Sequence, residues 1–139
     1  MRVLAFAVVL IASSLVWAAD ADYWAKGAEV YIISPHNGAT VKNPVTVRFG
    51  LKGVGVAPAG VKFENTGHHH LLIDTALPAD LTQPLPVTDN IRHFGKGQTE
   101  TTLTLPPGAH TLQLVLGDEN HVPHSPPLVS KKITIHVTE

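Results

Sequence analysis

The sequence predicts one all-β domain, an antiparallel β-sandwich of about seven strands, on three observations. Turn-forming residues recur at short intervals, with eleven Pro and eleven Gly among 139 residues. That density leaves almost no room for a long helix. Between the turns lie short β-branched runs in which apolar and polar residues alternate, the two-residue period of a strand with one buried face.

The turns are Ser34–Gly38, Lys42–Pro44, Pro58–Gly60, Asn65–Gly67, Pro106–Gly108 and His124–Pro127. They bound strands expected at Glu29–Ser34, Val45–Leu51, His69–Thr75, Thr99–Leu105, His110–Leu116 and Lys132–Val137. In the second, Val45, Val47, Phe49 and Leu51 are apolar, while Thr46, Arg48 and Gly50 between them are polar or small. Leu112, Leu114 and Leu116 repeat the pattern, as do Ile133, Ile135 and Val137. The stretch Ala76–Asn90 departs from it, with Pro78, Pro84 and Pro86 and little alternation. It reads as an extended surface crossover with one helical turn near Ala79–Leu81, and long ordered loops of this kind often carry function.

Ahead of the domain stands Met1-Arg2, then an apolar run from Val3 to Ala12, then Ser13–Ala19, with polar sequence from Asp20. One positive charge, a short apolar stretch and small residues at its exit form the layout of a signal peptide. Val16 and Ala18 would stand just inside the cleavage site, so positions 1–18 are expected to be the signal and 19–139 the single domain. A membrane span needs about 20 apolar residues, and Ser13, Ser14, Asp20 and Asp22 interrupt the run. With no cysteine there is no lipid attachment point, disulfide, thiolate ligand or cysteine nucleophile. The expected location is periplasmic or secreted, with no stable membrane anchor.

Ten basic residues against eleven acidic ones give a formal charge of −1, which argues against a nucleic-acid partner. The set of possible metal ligands is rich in imidazole and, apart from Met1, free of sulfur: nine histidines, no cysteine, one methionine. They fall largely in three blocks. His68, His69 and His70 sit where a turn becomes a strand. Alternation puts His68 and His70 on one face and His69 on the other. Leu71 and Ile73 point to the His69 face as the core, although Leu72 is apolar too. Two imidazoles two apart on a strand can reach one ion. The plainer reading makes His69 a hydrogen-bonded core residue and leaves its neighbours exposed. His121 and His124 lie in Gly117–Pro127, a loop stiffened by Pro123, Pro126 and Pro127, where they can converge on an ion or bond backbone carbonyls. Asp118 reads better as a turn residue than as a ligand. His93 opens His93-Phe94-Gly95-Lys96-Gly97, a flexible tip. It can complete a metal site, bind an anion with Lys96, or simply turn a hairpin. The tip lacks the features of a phosphate-binding P-loop. His110 reads as structural, bonding back to a neighbouring loop, and His36 and His136 as solvated.

Two resemblances add to this. Ser34-Pro35-x-Asn37-Gly38-Ala39-Thr40-Val41-x-x-Pro44-Val45-x-Val47-x-Phe49 and Leu105-Pro106-Pro107-Gly108-x-His110-Thr111-Leu112-x-Leu114 resemble strands of bacterial immunoglobulin-like modules. The first is like their opening hairpin and the second like the lead-in to their penultimate strand, with His110 where a corner tyrosine often stands. More specifically, Gly67–Asp74, His93–Glu100 and Gly117-Asp118-x-x-His121-x-Pro123-His124-x-Pro126, in that order, resemble an exported bacterial family known only as domain of unknown function 4399. That resemblance implies a periplasmic β-sandwich and no particular activity; the first implies an immunoglobulin-like one.

Function is therefore read from the histidines. The leading expectation is a non-catalytic periplasmic binding module in which His68, His70, His93, His121 and His124 form a site for a divalent transition metal. A nitrogen-only set suits Cu(II), Zn(II) or Ni(II), and the lack of sulfur argues against Cu(I). The expected ligand is thus a copper or zinc ion, with a small anion or a periplasmic protein as other partners. The first alternative is a structural or adaptor domain whose histidines form a hydrogen-bond network and whose working surface is the crossover. The weakest is a metal-dependent hydrolase with Glu100 or Glu119 as base; no serine sits in a nucleophile-elbow pattern, and nothing in the spacing demands catalysis.

Overall fold

A computed structural model describes residues 22–139; the signal peptide expected at 1–18 lies outside the described residues. Nine strands are present among them: β1 (Glu29–Ser34), β2 (Thr40–Lys42), β3 (Val45–Lys52), β4 (Gly55–Val56), β5 (Thr66–Ile73), β6 (Ile91–His93), β7 (Glu100–Leu103), β8 (Gly108–Gly117) and β9 (Ile133–Thr138). The expectation of about seven strands missed the short β2, β4 and β6, whose two or three residues are too few to display a period. Among the described residues no helix forms, and so none crosses a membrane. The helical turn expected near Ala79–Leu81 is replaced by a turn in which Asp80 Oδ1 accepts from the Thr82 amide and hydroxyl at 2.9 and 2.6 Å. An aspartate that bonds its own backbone in this way competes with the helix.

The strands make two sheets, one in the order β1-β3-β7 and one in the order β2-β9-β8-β5-β4, with β6 paired to β5 as well. Pairing is mainly antiparallel, but the expectation of a purely antiparallel fold needs correcting. β2 runs parallel to β9 and β4 parallel to β5. Both are short edge segments that no tight hairpin joins to their partner strand, so none constrains their direction.

Alternation places one face of each sheet in a shared core. Val45, Val47, Phe49 and Leu103 come from the smaller sheet, and Leu71, Ile73, Leu112, Leu114, Leu116, Ile135 and Val137 from the larger. The outer face of the larger sheet is covered too. Leu72, Ile91 and Val115 pack against Leu85, with Leu77, Leu81 and Val129 at the margin. The 76–90 crossover is thus a lid on that face, tied down where the Ile73 amide donates to Asn90 O and the Asn90 side chain donates to Ile73 O. β5 is consequently buried on both faces from Gly67 to Ile73, which is why its alternation was ambiguous: a strand covered twice reads as a continuous apolar run.

β5 ends at Ile73 rather than Thr75 because Asp74 adopts a left-handed φ of 53°. Its carboxylate accepts from the Thr111 amide at 2.7 Å and pairs with His110 Nδ1 at 2.6 Å, while His110 Nε2 approaches Pro106 O at 2.7 Å. His110 therefore bonds back to a neighbouring loop. The hydrogen bond that His110 donates to Asp74 raises the imidazole pKa above its ordinary value. A raised histidine stabilises the fold fully below the unfolded value of about 6.5 and loses that contribution as pH climbs through the folded one. Asp74→Asn tolerates the backbone and keeps the acceptor for Thr111. It is expected to cost about 1 kcal/mol below pH 6 and progressively less above pH 7, as read by urea unfolding across pH.

Candidate metal centre

Four imidazoles from three separate stretches of the chain meet on the outer face of the larger sheet. The register decides this. His70 lies opposite His93 in the β5–β6 pair, so both rings leave the same face, and His68 shares that face two residues away. Across the β5–β8 pair, His68 lies opposite Gly117 and His70 opposite Val115. The missing side chain at Gly117 opens the space that His121 fills from the loop after β8. A Cβ built on Gly117 would stand 2.8 Å from His70 Cε1 and 3.2 Å from the His121 backbone.

The result is a closed set. The ring nitrogens that His68, His70, His93 and His121 can each offer all lie within 4.8 Å of one another. Ring centroids are separated by 4.6 to 5.9 Å over all six pairs. His68 Nε2 and His121 Nδ1 share a hydrogen bond of 2.9 Å. A tetrahedral ion with nitrogen bonds of about 2.0–2.1 Å holds its ligand atoms about 3.3 Å apart, so modest ring movements close the set on an ion.

The floor is dry and the rim is not. His68 and His70 have no solvent exposure, whereas His93 and His121 are partly exposed. Burial first, then the neighbouring imidazoles, pushes the His68 pKa down to about 4 and that of His70 to about 3. Burial and His121 lower that of His93. His68, His70 and His93 are thereby held towards the neutral form, the state in which imidazole is a ligand. Among the described residues His68 Nδ1, both nitrogens of His70 and His93 Nε2 have no hydrogen-bond partner. Each buried polar atom left in that condition costs about 1–3 kcal/mol, a strong departure from ordinary protein interiors.

His69 projects the other way, into the shared core, with its ring 5.0 Å from Phe49. The expectation that it would be hydrogen-bonded there is not met, since neither ring nitrogen has a partner among the described residues. Burial lowers its pKa to about 4.

His124 stands apart from the four. Its Nε2 pairs with Asp118 Oδ2 at 2.7 Å, and its ring stacks on Tyr23 with centroids 3.5 Å apart. Asp118 is, as expected, a turn residue. Its Oδ1 accepts from the Asn120 and Val122 amides, and its backbone closes the loop with Val122 O and the His121 amide. Lys96 is exposed, and its amide is taken by Gln98. Neither proposed base turns its carboxylate to the cluster: Glu100 pairs with Arg48 on the smaller sheet at 3.3 Å, and Glu119 lies 3.9 Å from Lys62. His36 and His136 are exposed. Sequence reading passed over Gly117, whose role appears only once the β5–β8 register is known. It also passed over Leu85, whose amide donates to His121 O at 2.9 Å and so ties the crossover to the ligand loop.

A family model described as a domain of unknown function, DUF4399, matches residues 47–138, which include all four clustered histidines. No curated protein and no solved structure matches the chain.

Two outcomes follow from the geometry. Gly117→Ala drives a methyl group into the His70 ring and is expected to destabilise the domain by about 1–3 kcal/mol, measured by urea unfolding. The metal-free protein should also weaken as pH falls. His68, His69 and His70 have folded pKa values below the unfolded one, so their stability is present above pH 6.5 and is lost towards pH 4 as the unfolded chain takes up protons the folded one refuses. A urea midpoint that stays level from pH 7 to pH 4.5 would contradict the burial of these rings.

Proposed function

The chain belongs to the DUF4399 family, a domain of unknown function, and we propose that it is a non-catalytic binding module for a divalent transition metal, held by His68, His70, His93 and His121. The observation that carries this reading is the convergence of four imidazoles, three of which (His68, His70 and His93) carry buried nitrogens with no partner among the described residues. An ion would take up one lone pair from each ring and leave the other nitrogen as an N–H. Four nitrogens without sulfur suit Cu(II) or Zn(II). A set that can supply all four positions of a tetrahedron leaves none open for substrate, which favours binding over hydrolysis. In this reading the two sheets form an immunoglobulin-like sandwich, residues 1–18 direct export, and the protein works in the periplasm or outside the cell.

A second reading, a structural domain whose histidines form a hydrogen-bond network, is favoured by the 2.9 Å contact between His68 and His121. The unpaired nitrogens of His70 and His93 weigh against it, because a network built for stability satisfies its members.

Titration of tag-free protein with Cu(II) and Zn(II), followed by calorimetry, separates the two. The metal reading expects one equivalent bound per chain. His70→Ala and His121→Ala should each weaken binding at least tenfold, and His36→Ala, in an exposed turn, should leave it unchanged. At free metal 100-fold above Kd the wild type gains about 2.7 kcal/mol of stability. No uptake by the wild type, with His121→Ala merely lowering its stability, would leave the network reading standing.

A further inference from the structure

His121 is the one clustered ligand carried on a loop rather than a strand, and its φ of 68° is costly for a residue with a side chain. Something must hold it there. Asp118 makes the closest contacts in that loop. Its Oδ1 accepts from the Asn120 amide at 2.8 Å and the Val122 amide at 2.9 Å, and its backbone exchanges bonds with Val122 O and the His121 amide. Its Oδ2 is taken by His124 Nε2 at 2.7 Å. His124 is fixed in turn by its stack on Tyr23, its edge contact with Trp24, and the Trp24 Nε1 bond to Pro123 O at 2.8 Å. Each oxygen of the carboxylate is thus spent on the loop, leaving Asp118 to orient the ligand rather than to join it.

We propose that Asp118 and His124 are positioning residues for metal binding: their hydrogen-bonded pair, braced on Tyr23 and Trp24, sets the loop conformation that aims His121 at His68, His70 and His93. This inference rests on the metal reading. Outer partners of this kind commonly change metal affinity by about 10- to 100-fold. His124, expected from the sequence as a ligand, acts here one step removed. It also makes the residues before β1 part of the site's support, since Tyr23 and Trp24 belong to that segment.

The test uses Asp118→Asn, which keeps an acceptor for the two amides, and His124→Asn, since asparagine tolerates the left-handed backbone that His124 adopts at φ 67°. Cu(II) and Zn(II) affinities are measured for each variant alone and combined with His121→Ala, together with the nitrogen hyperfine pattern of the Cu(II) electron paramagnetic resonance spectrum. Both single variants are expected to bind about 10- to 100-fold more weakly and to lose one coordinated nitrogen from the spectrum. Neither should weaken binding further once His121 is gone, because a positioning residue acts only through the ligand it positions. Affinity within twofold of wild type would overturn the proposal, as would an equal loss in the His121→Ala background. If the wild type itself takes up no metal, the binding reading fails first. Wild-type binding with unaffected variants removes only the positioning role.

Discussion

The pairing of β5 with β6 on one edge and β8 on the other is the constraint from which the rest of the site follows. It puts His70 opposite His93 and His68 opposite a residue with no side chain. A slip of one residue in either ladder would turn the histidine pair to the other face. The register is held by apolar residues on both sides of the same strand: Leu71 and Ile73 in the shared core, Leu72 under the crossover. Polar chemistry is therefore positioned by hydrophobic burial, which is non-directional by itself but becomes specific through the alternation of a strand.

Double burial also accounts for the electrostatics. A strand with one wet face would leave His68 and His70 in solvent, with ordinary pKa values and competing water. Burial of His68 and His70 on that face depresses both imidazoles and holds them towards the neutral form. The arrangement stores unfavourable free energy in the unpaired ring nitrogens, and an ion that engages them recovers part of it.

Much of this was legible in the sequence, and the parts that were not share a cause. The long strands β1, β3, β8 and β9 announce themselves through alternation, and the pairing of His68 with His70 needs only the two-residue period. His93 and His121 were plausible partners, but their meeting depends on which strands are neighbours, and no local pattern in one chain carries that. His124 shows the limit most clearly. Three residues from His121 in a proline-rich loop, it looks like a second ligand. Two left-handed residues in that loop, His121 and His124, give their rings different partners, His68 for His121 and Asp118 for His124, and backbone twists of this kind on residues other than glycine leave no mark in the sequence. The strand start at Thr66 was lost for a related reason, since Asn65-Thr66-Gly67 reads as a turn until β4 is found beside it.

The four imidazoles are drawn from positions 68 to 121, and 53 residues separate the two that share a hydrogen bond. No fragment of the chain much shorter than the domain holds them together. An extended or newly made chain offers only scattered single imidazoles, so an ion has nowhere to settle until the sheets have closed. Under the proposed metal-binding reading, loading would follow folding, and the compartment in which the chain folds would decide which metal it meets.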